Sequence, residues 1–128
     1  MNKSAKDYIK TIYILKHRLK RVHSVDIARE MGFSKASVSI AMANLRQQNI
    51  IEMKKGGEID FTVNGENIAA DIYERQRILC GFLQAVAGVD EMTAEGDAGR
   101  MEHYISDSTF AGIRRFFNMQ QGIRERQV

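Results

Sequence analysis

The chain has 128 residues and a net charge of +3; 44% of its residues are hydrophobic and 27% are charged, as in an ordinary globular protein with a buried core. No apolar run reaches the roughly 18 residues of a membrane helix, and the N-terminus lacks the apolar segment of a secretory signal, so no membrane association is expected. The single cysteine, Cys80, excludes an internal disulfide and fits a reducing cytoplasm, which is the expected location.

Three helices are predicted in the N-terminal part of the chain, over residues 5–19, 24–31 and 34–48. Their apolar residues recur every three or four positions, as on a helix face that packs against a core. The residues predicted to face inward are Tyr8, Ile12, Leu15, Leu19, Val25, Ile27, Ala28, Met31, Val38, Met42 and Leu45. Ser24 and Ser34 are the predicted N-caps of the second and third helices, and Gly32 is the predicted C-cap between them.

A β-hairpin is predicted next, because two β-prone runs flank the pair Gly56-Gly57. The apolar residues of these runs are Ile50, Ile51, Ile59, Phe61 and Val63.

Three more helices are predicted after Gly65. The first is long, ends at Gly88 and presents an apolar face made of Ile68, Ile72, Ile78, Leu79, Phe82, Leu83 and Val86. The second is predicted to begin at the N-cap Thr93 and to carry Glu102 and His103. The last contains Phe110, Ile113 and Phe117.

The second and third helices, joined by a short turn, form a helix-turn-helix pattern, to which the hairpin adds a wing. The second helix of such a unit enters the major groove of DNA. Serine and asparagine can hydrogen-bond phosphates or bases, Ile40 suits a thymine methyl group, and wing lysines can lie along the phosphate backbone. The predicted DNA contacts are Ser34, Lys35, Ser37, Ser39, Ile40, Asn44, Lys54 and Lys55.

The charge distribution also favours double-stranded DNA as a partner. Residues 1–55 contain 12 Lys and Arg and 4 Asp and Glu, for a net +8, whereas residues 56–128 contain 7 and 12, for a net −5. A winged helical domain that binds protein is the alternative. The sequence pairs no nucleophile with a base and has no phosphate-binding loop, so it does not predict an enzyme.

The ordered blocks DYIKTIYIL, SVDIAREMGFSKASVSIAMANLRQQNII, the GG hairpin, RQRILCGFL and RMEHYISD resemble the diphtheria-toxin-repressor-like metalloregulators. The length is similar to that of the short, manganese-regulator branch, which lacks a C-terminal SH3-like domain. The resemblance implies a mainly α fold, with a winged helix-turn-helix DNA-binding domain over residues 1–64 and a helical dimerisation domain over residues 65–128. It also implies a homodimeric repressor that binds a palindromic operator when Mn(II) or Fe(II) is bound.

The metal-ligand pattern of that family is only partly matched. The first helix of the manganese-type proteins carries an Asp and, three residues later, a Glu, whereas this chain has Asp7 and then Lys10. The His of their dimerisation helix corresponds to Gln76. The Glu that precedes their final Glu-His pair corresponds to Gly99, although Glu102 and His103 themselves are present. The iron-type ancillary positions correspond to Gln76, Cys80 and Glu95, which do not make a convincing site.

Two interpretations of this departure stay open. In the first, Asp7, Glu102, His103 and the amide oxygen of Gln76 hold one Mn(II) or Fe(II) per subunit, and Lys10 points to solvent. In the second, the regulator is metal-independent or differently triggered, and the ammonium of Lys10 could lie among carboxylates in place of the metal. A related alternative is a metal-independent co-regulator or antagonist that acts through a protein partner. Cys80 is predicted to be a small core residue, with a redox or haem role as the alternative.

Overall fold

The structure, a computed structural model, describes residues 1–126, which fold into six helices and two strands. In chain order these are α1 (Lys3–Arg18), α2 (Ser24–Met31), α3 (Lys35–Gln47), β1 (Ile51–Met53), β2 (Ile59–Phe61), α4 (Val63–Ala87), α5 (Glu91–Met101) and α6 (Asp107–Arg126). This confirms the predicted fold class, which is mainly helical with a small two-stranded wing.

The chain divides into two compact units, Met1–Ile72 and Tyr73–Val128, and the boundary falls within α4. Gln127 and Val128, the last residues of the predicted second domain, lie outside the described residues. No helix in the described part of the chain is both long and apolar enough to cross a membrane.

The core of the first unit is formed by the apolar faces of α1, α2 and α3 together with the hairpin. Its most deeply buried side chains include Ile9, Ile12, Ile27, Val38, Met42, Leu45 and Ile59. The predicted core stripe of α3 is therefore confirmed. Leu19 and Val25 were predicted to face inward, but both are exposed. Leu19 follows the last residue of α1, and Val25 lies in the first turn of α2, so neither side chain is covered by the bundle.

The turn between α2 and α3 has the predicted caps. Gly32 adopts the left-handed conformation, with φ of 68°, and Ser34 accepts a hydrogen bond from the Ser37 backbone N–H at 3.1 Å. The prediction of Ser24 as the N-cap of α2 was wrong by one residue. His23 is the extended residue before the helix, and its backbone N–H donates to the Asp26 carboxylate at 2.8 Å.

The hairpin pairs β1 and β2 in antiparallel register, with Ile51 opposite Phe61 and Met53 opposite Ile59. Gly56 and Gly57 both have positive φ, at 84° and 82°, as the prediction of a turn at this pair requires.

Val63 is not part of the hairpin, as had been predicted, but is the exposed first residue of α4. Helix α4 begins earlier than expected because the Thr62 hydroxyl accepts a hydrogen bond from the Gly65 backbone N–H at 2.9 Å. Gly65 therefore lies inside the helix.

The second unit packs α4, α5 and α6 around Ile78, Leu79, Ala98 and Phe110. Gly88, with φ of 67°, ends α4 as predicted. Asp90 caps α5 by accepting a hydrogen bond from the Thr93 backbone N–H at 2.7 Å, so the prediction of Thr93 as the N-cap was wrong. Val86 is exposed, although the helical pattern placed it on the inward face.

Candidate nucleic-acid interface and metal centre

Helix α3 presents one buried and one exposed face. Val38, Met42 and Leu45 are buried, whereas every residue of α3 predicted to contact DNA is exposed, namely Ser34 at the N-cap and Lys35, Ser37, Ser39, Ile40 and Asn44 in the helix. The side chain of Ile40 is 66% exposed, which is unusual for an isoleucine in a folded unit. An exposed branched apolar side chain among hydroxyl and amide groups can combine hydrogen bonding with contact to a thymine methyl group.

The two serines at the start of α3 are connected to each other. The Ser34 hydroxyl accepts from the Ser37 backbone N–H and donates to the Ser37 hydroxyl at 3.0 Å. Because Ser37 accepts this bond, its own hydroxyl proton remains directed elsewhere and can be donated. Ser34 therefore sets the start of the helix, and Ser37 is the better donor toward an anionic ligand.

The wing carries an ion-pair cluster that the sequence did not predict. Asp60 on β2 pairs with Lys16 of α1, and its second carboxylate oxygen lies 2.9 Å from the ammonium of Lys54. The hydrogen bond from Lys16, with the further bonds from Lys54 and the Phe61 backbone, lowers the pKa of Asp60 from 3.8 to about 2. The same carboxylate raises the pKa of Lys54.

The cluster distinguishes the two wing lysines that were predicted to contact DNA. Lys54 is engaged by Asp60, whereas Lys55 is exposed and follows it at the tip of the hairpin. The only sequence signal for Asp60 was its place between Ile59 and Phe61, which face the core. Strand alternation puts its carboxylate on the opposite face.

In the first unit, Asp7 and Lys10 lie one helical turn apart on α1. The ammonium of Lys10 is 3.7 Å from a carboxylate oxygen of Asp7. The side chain of Lys10 is 13% exposed and that of Asp7 is 37% exposed. The low exposure of Lys10 disagrees with the alternative in which its side chain simply points to solvent.

In the second unit, Glu102 and His103 follow α5 instead of lying within it, because the helix ends at Met101 and Glu102 is its C-cap. The Glu102 side chain is 1% exposed, and the ring of the half-buried His103 packs edge to face against Tyr104. A β-carbon on Gly99 would lie 3.8 Å from the amide nitrogen of Gln76, so these two positions face each other. Neither residue supplies a charged donor.

Cys80 is half-buried and lies at 3.8 Å from the side-chain oxygen of Gln84. Burial raises the pKa of its thiol, and the charges of Glu95 and Glu91 raise it further. A raised thiol pKa disfavours the thiolate, which is the form that reacts and binds metals. Cys80 was predicted to be a small core residue, and the structure places it, partly buried, against the core cluster of the second unit.

The donors present do not fit a binuclear metal centre. Among residues 1–126, no three His, Cys, Asp or Glu side chains are grouped closely enough to hold a metal ion. Hard divalent ions require several oxygen or imidazole ligands, and Lys10 and Gly99 supply none. The predicted set of Asp7, Glu102, His103 and Gln76 stays a prediction.

A helix-turn-helix with a buried and an exposed face on its second helix, followed by a two-stranded wing, defines a winged helix-turn-helix protein. The chain belongs to the iron-dependent repressor family. Residues 1–58 match the family model described as the iron dependent repressor N-terminal DNA binding domain, and residues 62–121 match that of the metal binding and dimerisation domain. This confirms the family predicted from the sequence, which is one of transcriptional regulators and not of enzymes.

Known relatives agree with this assignment. The transcriptional regulator MntR of Escherichia coli O6:H1 is 33% identical over 110 residues, which cover 86% of this chain and 70% of that protein. The HTH-type transcriptional regulator MntR of Bacillus subtilis is 28% identical over 103 residues, which cover 80% of this chain and 72% of that protein.

Two solved structures are similar over most of this chain. The manganese regulator SloR has a TM-score of 0.75 at 26% identity, and a manganese-dependent transcriptional repressor in complex with manganese has a TM-score of 0.79 at 25% identity. These matches cover 91% and 89% of this chain. They cover only 54% and 52% of the other two chains, so this chain spans about half the length of those structures.

Proposed function

We propose that the chain is a DNA-binding transcriptional regulator, a repressor, that acts in the cytoplasm as a homodimer on a palindromic operator. The observation that carries this proposal is the exposed face of α3, where Ser37, Ile40 and Asn44 lie opposite the buried stripe. The family match of residues 1–58 to a DNA binding domain supports it. A twofold dimer presents two equivalent α3 helices, and two such helices recognise two inverted half-sites.

The proposed contacts divide into two groups by chemistry. Lys35, Lys54 and Lys55 would bind phosphates, which sets the register of the protein on the duplex without reading its sequence. Ser37, Ser39, Ile40 and Asn44 would reach base edges in the major groove, with Ser34 holding the start of the helix.

We assign DNA binding to residues 1–64 and dimerisation to residues 65–128. The match of residues 62–121 to a metal binding and dimerisation domain supports the second assignment. An open groove of about 400 Å³ in the second unit also supports it, because Phe82 and Phe116 line it and are not fully buried. Apolar side chains that a unit leaves uncovered are typical of an obligate dimer interface.

Selection from a random pool of double-stranded DNA tests the proposal. The purified protein is expected to enrich an inverted repeat whose half-sites are about 10 base pairs apart, since α3 of each subunit must enter the same side of the duplex. Binding of all sequences with equal affinity at moderate salt would contradict the proposal.

Ile40→Ala should weaken binding to the selected operator about tenfold, because an exposed side chain that loses its contact with a thymine methyl loses apolar burial of roughly 1.4 kcal/mol. Fluorescence anisotropy with labelled operator measures the change. Val63→Ala is the matched control, since Val63 is also an exposed aliphatic residue but lies outside α3 and the wing. If both variants bind the operator with equal affinity, Ile40 does not contact the DNA.

The metal site of this regulator is proposed to be degenerate, because Lys10, Gln76 and Gly99 stand where the related pattern has charged or imidazole donors. The remaining donors can hold at most one Mn(II) or Fe(II) per subunit. They are Asp7, Glu102, His103 and the amide oxygen of Gln76. The same departure favours a second candidate, a metal-independent co-regulator or antagonist that binds a protein partner. That candidate requires heterodimers with a metal-binding relative, and co-purification of the two tagged proteins detects them.

A further inference from the structure

Lys10 is unusually buried for a lysine on an amphipathic helix. Lysine side chains normally carry their ammonium groups into water, yet Lys10 is 13% exposed, less than the 37% of its partner Asp7. Withdrawal of an ammonium from water is costly unless carboxylates lie near it, and Asp7 supplies one at 3.7 Å. The fold thus holds a positive charge at a fixed place beside Asp7.

We infer that Lys10 is a built-in cation that replaces a divalent metal ion, so that operator binding by this chain does not depend on Mn(II) or Fe(II). Since this inference depends on the proposed DNA-binding function, it concerns how that function is regulated. The ammonium neutralises Asp7, and it would repel a second cation brought to the same carboxylate. Its place is permanent, whereas a metal ion dissociates when its concentration falls.

The second unit favours the same conclusion independently. Glu102 is buried there, and Gln76 and Gly99 face each other, of which the first offers a neutral amide and the second has no side chain. A divalent ion prefers several anionic or imidazole ligands, so each of these residues lowers the affinity that the site can reach. The described residues contain no group of three His, Cys, Asp or Glu that compensates for the loss.

Two measurements on the full chain test the inference, and they are read separately. Titration of the chelator-treated protein with Mn(II) or Fe(II) in a calorimeter, without DNA, should show no stoichiometric binding. Operator affinity should differ by less than twofold between chelator and added Mn(II). Stoichiometric binding of either ion, or at least tenfold tighter operator binding with the ion, would overturn the inference. Failure to bind any DNA sequence would instead count against the proposed function, while the calorimetric result still decides whether Lys10 excludes a metal.

Variants at position 10 separate a regulatory charge from a structural one. Lys10→Arg should keep metal-independent operator binding, whereas Lys10→Met should weaken it about tenfold under chelator without loss of helical content. Lys10→Glu restores a carboxylate one turn after Asp7 and should gain measurable Mn(II) binding in the calorimeter. Lys3→Glu, with the same charge change at an exposed position of α1, is the control and should gain none. A folded Lys10→Glu without Mn(II) binding, or a Lys10→Met that melts earlier but binds the operator normally, would overturn the role of Lys10.

Discussion

Lys54 and Lys55 are neighbours in the wing, but their charges are used differently. Lys54 is held 2.9 Å from Asp60, so part of its charge is already neutralised within the protein, whereas Lys55 is exposed at the hairpin tip. A lysine that contacts phosphate displaces counterions from DNA, and an engaged lysine must first give up its carboxylate.

Lys55→Gln should therefore reduce the slope of log affinity against log salt concentration by about 1. Lys54→Gln should reduce it by clearly less, because Asp60 competes for its ammonium. Anisotropy titrations over a range of salt concentrations measure both slopes. Equal reductions would mean that DNA binding releases Lys54 from Asp60.

Asp60 makes the stability of the first unit sensitive to acid. Its pKa in the folded protein is about 2, below the ordinary 3.8, so the ionised form stabilises the fold. That contribution is complete above about pH 5 and is lost as the pH falls from about 4 to about 2. The side chain is partly exposed, so solvent screening reduces the contribution to about 1 kcal/mol.

Asp60→Asn should lower the free energy of unfolding at neutral pH by about 1 kcal/mol, and this difference should shrink to a small fraction near pH 2. Urea unfolding of both proteins at several pH values measures the difference. Asp71→Asn, which removes an exposed carboxylate of α4, is the control for the loss of a negative charge as such. A difference between Asp60→Asn and the unmodified protein that is undiminished at pH 2 would show that the ion pairs are not its source.

At the scale of elements, the first turn of α4 packs unusually close to the chain before β1. A β-carbon built on Gly65 would lie 1.8 Å from the backbone oxygen of Ile50. Because the obstacle is backbone, no side-chain rotation relieves it. Gly65 is thus required for the close approach of α4 to the hairpin, and not for a turn.

Gly65→Ala should destabilise the protein by about 3 kcal/mol, since the helix and the hairpin must separate to admit the methyl group. Gly96→Ala is the matched variant, because its β-carbon would meet only the end of the Arg100 side chain, at 3.5 Å. Alanine favours the helix over glycine, so Gly96→Ala should stabilise the protein by about 0.8 kcal/mol. Thermal unfolding should move in opposite directions for the two variants, and a common direction would contradict the packing described for Gly65.

At the scale of the whole molecule, the second unit leaves an apolar surface between α4 and α6. The rings of Phe82 and Phe116 meet edge to face with centroids 5.9 Å apart, and Phe116, Val86 and Met119 are exposed. The side chains that line the groove are those of Phe82, Gln84, Ala85, Phe116, Phe117 and Gln120, together with Gly81. A second copy of the chain would remove this surface from water.

Phe82→Asp should convert the proposed dimer to monomers in sedimentation equilibrium, because a carboxylate buried in an apolar interface without a partner costs several kcal/mol. Phe82 also packs within its own unit, so Val86→Asp, at an exposed position, serves as the second variant. Met92→Asp changes an exposed residue of α5 outside the groove and should remain dimeric. If Phe82→Asp and Val86→Asp both remain dimeric, the interface lies elsewhere.

Local chemistry accounts for the features that were predicted correctly. Gly32, Gly56, Gly57 and Gly88 hold positive φ angles, and such angles are demanded by turns that a few neighbouring residues define. The stripe of Val38, Met42 and Leu45 follows from helical periodicity alone. The predictions of Ser24 and Thr93 as N-caps were wrong, because the cap is the last extended residue before the helix, which is His23 for α2 and Asp90 for α5.

The sequence by itself determined the winged helix-turn-helix pattern and the family resemblance, because periodicity, turn glycines and ordered motifs are properties of neighbouring residues. Only the tertiary structure decided that Lys10 is withdrawn from water, that Asp60 joins Lys16 to the wing, and that Gly65 lies against Ile50. Exposure, and an ion pair such as that of Lys16 with Asp60, depend on residues far apart in the chain, here 44 positions apart. No local pattern encodes which of them will meet.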